Sequence, residues 1–196
     1  MKKTLILLLA FVSISLNAQN TMNDSVPYAT IPKAPKIVTP GTVVSRMIDG
    51  LGFRYYWATE GLTTNELDHQ PDNGGRTIAE TIDHVYNLSL TILRSAQKRP
   101  RDFSEKQPLM NNDEKRKKTL EYLAEASFLF KTTEDLTEHK VIFVRSKGTS
   151  EFPIWNQING PIEDAVWHAG QIATLRRLAG NPMNPKVNVF LGKLND

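Results

Sequence analysis

WNQINGPIEDAVWHAGQIATLRRLAGNP, residues Trp155–Pro182, reads as the last long helix of the chain. Asp164 and His168 stand four residues apart, so on a helix they share one face and point the same way. Ile172 and Leu175 continue near that face. Val166, Ala169, Ala173 and Leu178 widen an apolar surface, and Arg176 and Arg177 are expected to reach water. Gly160-Pro161 is the expected opening of the helix, because proline is tolerated at the first helical position. Gly180-Asn181-Pro182 is the stop. One carboxylate and one imidazole make half of a metal site, and the remainder must come from elsewhere in the chain.

Working outward, three more amphipathic helices are expected. The nearest upstream begins near Asp113 and turns Leu120, Leu123, Ala124, Ser127, Phe128 and Phe130 inward. Its Lys115–Lys118 run reads as a solvated face. The next one back is capped by Thr77, with Glu80 three residues later as its capping-box partner, and ends at Arg99-Pro100. Ile78, Ile82, Val85, Leu88, Ile92 and Leu93 form its buried stripe, and His84 lies beside that stripe. The first helix runs from near Gly41 to about Thr59 on Val44, Met47, Ile48, Leu51, Tyr55 and Ala58. Between the third and fourth helices, Val141–Arg145 and Glu151–Trp155 flank Lys147-Gly148-Thr149 as a short β-hairpin. The fold class expected is all-α, an antiparallel four-helix bundle with that hairpin before the last helix.

The termini divide the chain further. Lys2 and Lys3, the apolar run Leu5–Val12 and the small-residue site Leu16-Asn17-Ala18 read as a secretory signal peptide over residues 1–18. Export, to the periplasm or outside the cell, is the expectation. Residues 19–41, with Pro27, Pro32, Pro35 and Pro40, form an extended N-terminal segment; residues 42–185 hold the bundle; residues 186–196 form a packed C-terminal tail.

Composition narrows the function classes. The 196-residue chain carries 24 basic and 21 acidic residues, a net +3. Removing Lys2 and Lys3 leaves 22 against 21, a net +1, so the charge does not argue for a nucleic-acid partner. No cysteine is present, which excludes disulfides, a thiolate nucleophile and a cysteine-linked lipid anchor. No stretch of the mature chain is apolar for long enough to span a bilayer. A small-molecule ligand or substrate is the expected partner, with a homodimer as a further option.

His84 could join Asp164 and His168 across the bundle, giving two nitrogens and one oxygen with positions left for water or substrate. Such a set suits zinc, nickel, iron or manganese. Asp164 as a helix cap or ion-pair partner, and His168 as a buried hydrogen-bonding group, are the structural alternatives. His69 and His139 lack a second histidine at ligand spacing and read as surface residues. Trp57, Trp155 and Trp167 read as core packing, with pocket lining as the alternative.

FRYYWATEGLTTNEL, GGRTIAETIDHVYNLSLTIL, WNQING and PIEDAVWHAGQIATLRRLAGNP, in that order, resemble the DinB-like superfamily of DinB/YfiT-like metalloenzymes from about Thr42 to Pro185. The resemblance implies a four-helix bundle of up-down-down-up topology. It also implies a divalent metal held by one histidine on the second helix, at His84, and a pair on the fourth. His168 matches the second member of that pair, and Asp164 stands where the first is commonly histidine. Glu80 and Gln171 would support the ligands from behind. Related proteins include metal-dependent thiol transferases and isomerases. The function expected is an exported metal-dependent hydrolase or transferase acting on a small molecule. The alternative is a noncatalytic ligand-binding or envelope-interaction bundle with a degenerate site.

Overall fold

A computed structural model describes residues 26–72 and 74–196. The signal-peptide reading over residues 1–18 lies outside the described residues. Helix α1 spans Pro40–Thr59, α2 Thr64–Leu67, α3 Ile78–Ala96, α4 Asn112–Lys131, α5 Ile154–Gln157 and α6 Glu163–Leu178. Among the described residues five short strands accompany them: β1 Arg101–Asp102, β2 Val141–Arg145, β3 Gly148–Phe152, β4 Val187–Asn188 and β5 Lys193–Leu194. The expected hairpin is β2–β3, but it is part of more. β1 adds a parallel strand to β2, and β4 pairs with β5 in a second, two-stranded sheet within the tail. Two-residue pairings of this kind leave no alternation for a sequence pattern to show.

The helix starts follow local chemistry. Thr39 caps α1, with Pro40 in its first turn, where the missing N–H costs nothing. Thr77 and Glu80 form the expected capping box on α3, and Asn111 and Glu114 form another on α4. Each box satisfies two backbone donors that a helix start leaves without partners.

Four long helices surround one apolar core. Ile48, Leu51 and Tyr55 of α1 meet Ile78, Ile82 and Ile92 of α3, Leu120, Leu123 and Phe130 of α4, and Ala165 and Ile172 of α6, all essentially fully buried. Each fully buried side chain of this size contributes roughly 1.5–3 kcal/mol. Helix α1 packs on α4 and α6, and α3 packs on the same two. Side-chain bonds give the directions. Ser45 near the start of α1 meets Ser127 near the end of α4 at 2.8 Å, and Arg116 near the start of α4 reaches Thr59 at the end of α1 at 2.9 Å. Asp83 and Lys115 join the starts of α3 and α4 at 2.8 Å; Gln97 and Glu125 join regions toward their ends at 2.7 Å. Helices α1 and α6 therefore run one way and α3 and α4 the other. Half of the neighbouring pairs are parallel, the order of directions that an up-down-down-up bundle has.

Backbone closeness seats α1. A Cβ on Gly41 would stand 2.1 Å from the Thr133 carbonyl oxygen and 2.3 Å from that of Phe130, so only glycine admits the end of α4 there. Gly52 meets the Tyr28 ring in the same way, at 2.5 Å, and lets the extended N-terminal segment lie on α1.

Three expectations are corrected inside the bundle. The last helical stretch begins at Ile154, not at Gly160-Pro161; those two residues lie in a π turn, Ile158–Ile162, between α5 and α6. Proline inside an α-helix lacks the N–H and collides with the carbonyl four residues back. Widening the turn to the i→i+5 pattern makes room for the ring. His139 is buried, with Nδ1 3.1 Å from the Ser95 carbonyl oxygen and the ring against Phe130. Arg176 is buried as well. Its Nη1 donates to the carbonyls of Trp57, Ala58 and Glu60 at 3.2, 3.1 and 2.8 Å, and its Nε donates to the Asn181 carbonyl at 2.7 Å. Helix α1 ends with carbonyls that have no intrahelical partner, and Arg176 supplies theirs.

Two outcomes follow. Arg176→Met is expected to lower the unfolding free energy by ~2–3 kcal/mol through lost charge-assisted bonds. The exposed neighbour Arg177→Met should stay within ~0.5 kcal/mol of wild type in the same denaturant titration. Burial holds the His139 imidazole below its ordinary value, so the folded chain refuses a proton that the unfolded chain takes up. The stability this provides is complete above about pH 6.5 and falls as the pH drops below it. Unfolding titrations from about pH 7.5 to 5 should show a shallower loss in His139→Gln than in wild type.

Candidate metal centre

The centre is built where α3 and α6 pass in opposite directions. Helix α3 carries His84 one turn beyond Glu80, and α6 carries Asp164 in its first turn and His168 one turn on. His84 Nε2 stands 3.2 Å from Asp164 Oδ2, and His168 Nε2 stands 3.3 Å from Asp164 Oδ1. The two imidazoles meet edge to face with centroids 4.5 Å apart. One ligand atom from each of the three residues lies within 4.8 Å of the other two. His168 is buried; His84 and Asp164 are half-buried. The structure thus brings together all three residues singled out from the sequence.

The donor chemistry fits a divalent cation. Ligand atoms at tetrahedral angles around an ion ~2.1 Å away stand ~3.4 Å apart. Each imidazole nitrogen has about that spacing to a different oxygen of Asp164, which is also the spacing of a direct histidine–carboxylate hydrogen bond. His168 Nδ1 lies 2.7 Å from Gln171 Oε1, one turn further along α6. A proton on Nδ1, donated to that amide oxygen, leaves Nε2 with its lone pair toward Asp164. A nitrogen lone pair facing a carboxylate oxygen is repulsive unless a cation or a proton lies between them. Two imidazoles and one carboxylate, with the remaining directions open, are an accepted donor set for zinc and for other first-row divalent ions.

The surrounding groups are mostly committed. Glu80 Oε2 accepts from the Thr77 N–H at 2.8 Å, so its carboxylate closes the helix cap rather than backing a ligand. Asp83 is paired with Lys115 at 2.8 Å. Tyr86 Oη donates to Gln107 Oε1 at 3.3 Å. Of the two residues expected behind the ligands, Gln171 is in place and Glu80 serves the cap.

Three clefts open on the centre, one at each ligand. A cleft of ≈ 680 Å³ has His168 in its wall with Trp167, Gln171 and Arg76. A second, of ≈ 620 Å³, contains His84, Asn87, Lys115 and, again, Arg76. A third, of ≈ 300 Å³, runs from Asp164 to Leu88, Phe143 and Phe152, and brings the β2–β3 sheet to the site. Trp155 and Trp167 are exposed, which corrects their reading as core; Trp167 takes the pocket-lining role. Arg76 was not legible in advance, because a single arginine in a Gly-Gly-Arg-Thr turn carries no spacing signal. His69 shares neither the centre nor the three clefts.

The family model of the DinB superfamily matches residues 54–147. The matched span contains His84 and both helices α3 and α4, and it ends before Asp164 and His168. No curated protein and no solved structure matches the chain.

Because Gln171 touches the centre only through His168, its removal isolates that support. Gln171→Ala is expected to weaken divalent-metal affinity by ~10- to 100-fold without unfolding the exposed position. Competition against a chromophoric chelator would measure the change; an unchanged affinity would show that Gln171 does not hold the imidazole.

Proposed function

We propose that this chain, with its partial DinB-superfamily match, is an exported metal-dependent hydrolase or transferase with an up-down-down-up bundle. Its substrate is a small molecule, and its divalent metal is held by His84, Asp164 and His168. The observation that carries the reading is the convergence of three ligand atoms from two helices within 4.8 Å, with the non-ligating nitrogen of His168 engaged by Gln171. The signal-peptide pattern of residues 1–18 is what supports export.

A divalent ion held by His84, Asp164 and His168 would supply Lewis acidity toward an oxygen or sulfur atom of the substrate. The protein's own contribution is positional. Asp164 presents one oxygen to each imidazole, so a single side chain sets the spacing of both. Gln171 fixes the His168 tautomer. The Thr77–Glu80 cap and the Asp83–Lys115 pair hold the first turns of α3 in place beneath His84. The clefts give substrate an approach to each ligand.

A second reading rests on a separate observation. Glu80 and Asp83, the carboxylates of the His84 cleft, are both occupied, which leaves that cleft no unpaired carboxylate to act as a general base among the described residues. That arrangement favours a noncatalytic metal- or ligand-binding bundle.

Purified mature protein is expected to carry close to one equivalent of divalent metal by elemental analysis, with His84→Ala and His168→Ala strongly depleted at unchanged helicity. Equal metal content in all three proteins would sink the proposed centre. Metal-loaded protein should then turn over in a screen of ester, amide and thiol-transfer substrates, with activity lost to chelation and restored by metal. Metal binding without any turnover in that screen would favour the binding reading.

A further inference from the structure

Arg76, an exposed side chain, lines both the His168 cleft and the His84 cleft and so belongs to the rim the two share. It makes no hydrogen bond or ion pair among the described residues. The carboxylates nearest in the lining are already engaged, Glu80 by the α3 cap and Asp83 by Lys115. A guanidinium keeps its charge throughout the physiological range and offers a planar fork that matches a carboxylate or phosphate. Across the larger cleft stands Trp167, 72 % exposed, adjoining His168 in sequence, with Leu175 and Pro71 extending the apolar wall. Indole left in water on the wall of a ligand-sized cavity offers a flat apolar platform. A mostly apolar cavity with one or two placed polar groups is the usual composition of a small-molecule site.

We infer that the substrate at this centre is a small organic anion with a flat apolar body, its anionic group held by Arg76 and its body laid on Trp167. The inference rests on the metal-centre reading for the site of reaction, and the anchor itself is independent of metal. The anchor acts before chemistry. It sets which end of the ligand faces the imidazoles and rejects neutral analogues, because a charge-assisted bond is lost when the anion is replaced by an amide.

The probes are 3-phenylpropionate and its neutral amide, titrated calorimetrically into metal-loaded full chain. Wild type is expected to bind the acid ~10-fold more tightly than the amide. Arg76→Gln should abolish that preference by weakening the acid alone, whereas Trp167→Ala should weaken both probes by a similar factor. Equal binding of acid and amide to wild type overturns the inference, as does a preference that survives Arg76→Gln. So does binding of neither probe at about 10 mM. Repeating the titrations with His84→Ala separates the two readings. A preference for the acid that persists without metal supports Arg76 as the anchor, whatever becomes of the metal centre. A preference lost with the metal but retained in Arg76→Gln means that the metal itself holds the anion; the anchor then fails and the centre stands.

Discussion

The guanidinium of Arg176 is the contact on which the arrangement of the helices depends. It is a charge taken out of water, and burial pulls it below its ordinary pKa. Such a group is tolerable only where acceptors surround it. Those acceptors are the last carbonyls of α1 and the carbonyl and side chain of Asn181. Asn181 extends the link, donating to the Gly61 carbonyl and to Glu66. Glu66 in turn accepts from the Thr63 N–H, which with Asn181 holds its carboxyl down to about 2. One network therefore closes the ends of α1 and α6 and the start of α2. It obliges α1 and α6 to run in the same direction. His168 lies two turns before Arg176 on α6, so the same anchor sets the height of the candidate ligand in the bundle.

The other end of that last helical stretch meets a different constraint. Pro161 would break a regular helix, and the π turn at Ile158–Ile162 absorbs it. One extra residue in a turn rotates everything after it by ~100° relative to an uninterrupted helix. Asp164 follows two residues later, so its direction toward α3 is set by that widening as much as by its own spacing to His168. Ile162 and Ala165 are then buried on one side while Asp164 stays at the mouth of the cleft shared with Leu88 and Phe143. The proline that would have been an error in an α-helix acts here to aim a side chain.

Local signals were legible in the sequence and reciprocal ones were not. The Thr77–Glu80 capping box, the apolar stripe of α3, and the shared face of Asp164 and His168 need only their own few neighbours, and each is where the spacing put it. His84 was placed opposite them on the strength of the family resemblance as well as the bundle pattern. The burial of Arg176 and of His139 was missed for one common reason. Whether a polar side chain is buried depends on whether acceptors from a distant segment reach it. For Arg176 these come from Trp57, Ala58 and Glu60, and for His139 from Ser95. The parallel pairing of β1 with β2 is equally non-local, joining Arg101 to Phe143 with no repeat in either strand to announce it. At the centre itself, the ligand atoms were legible and the walls were not.

Asp164 is the point where chemistry and packing argue most closely. The family resemblance implies histidine at this position, and a third imidazole would have been neutral. A carboxylate brings a negative charge between two nitrogens, and that changes what the place favours. Hard divalent ions gain relative to soft ones as oxygen replaces nitrogen. A divalent ion held by this set leaves a net +1 at the centre instead of +2, with Arg76 on the rim that the adjacent clefts share. A divalent ion held by these three residues would therefore sit in a site one charge less positive than one built from three imidazoles, and that difference is what the aspartate contributes to the choice of metal.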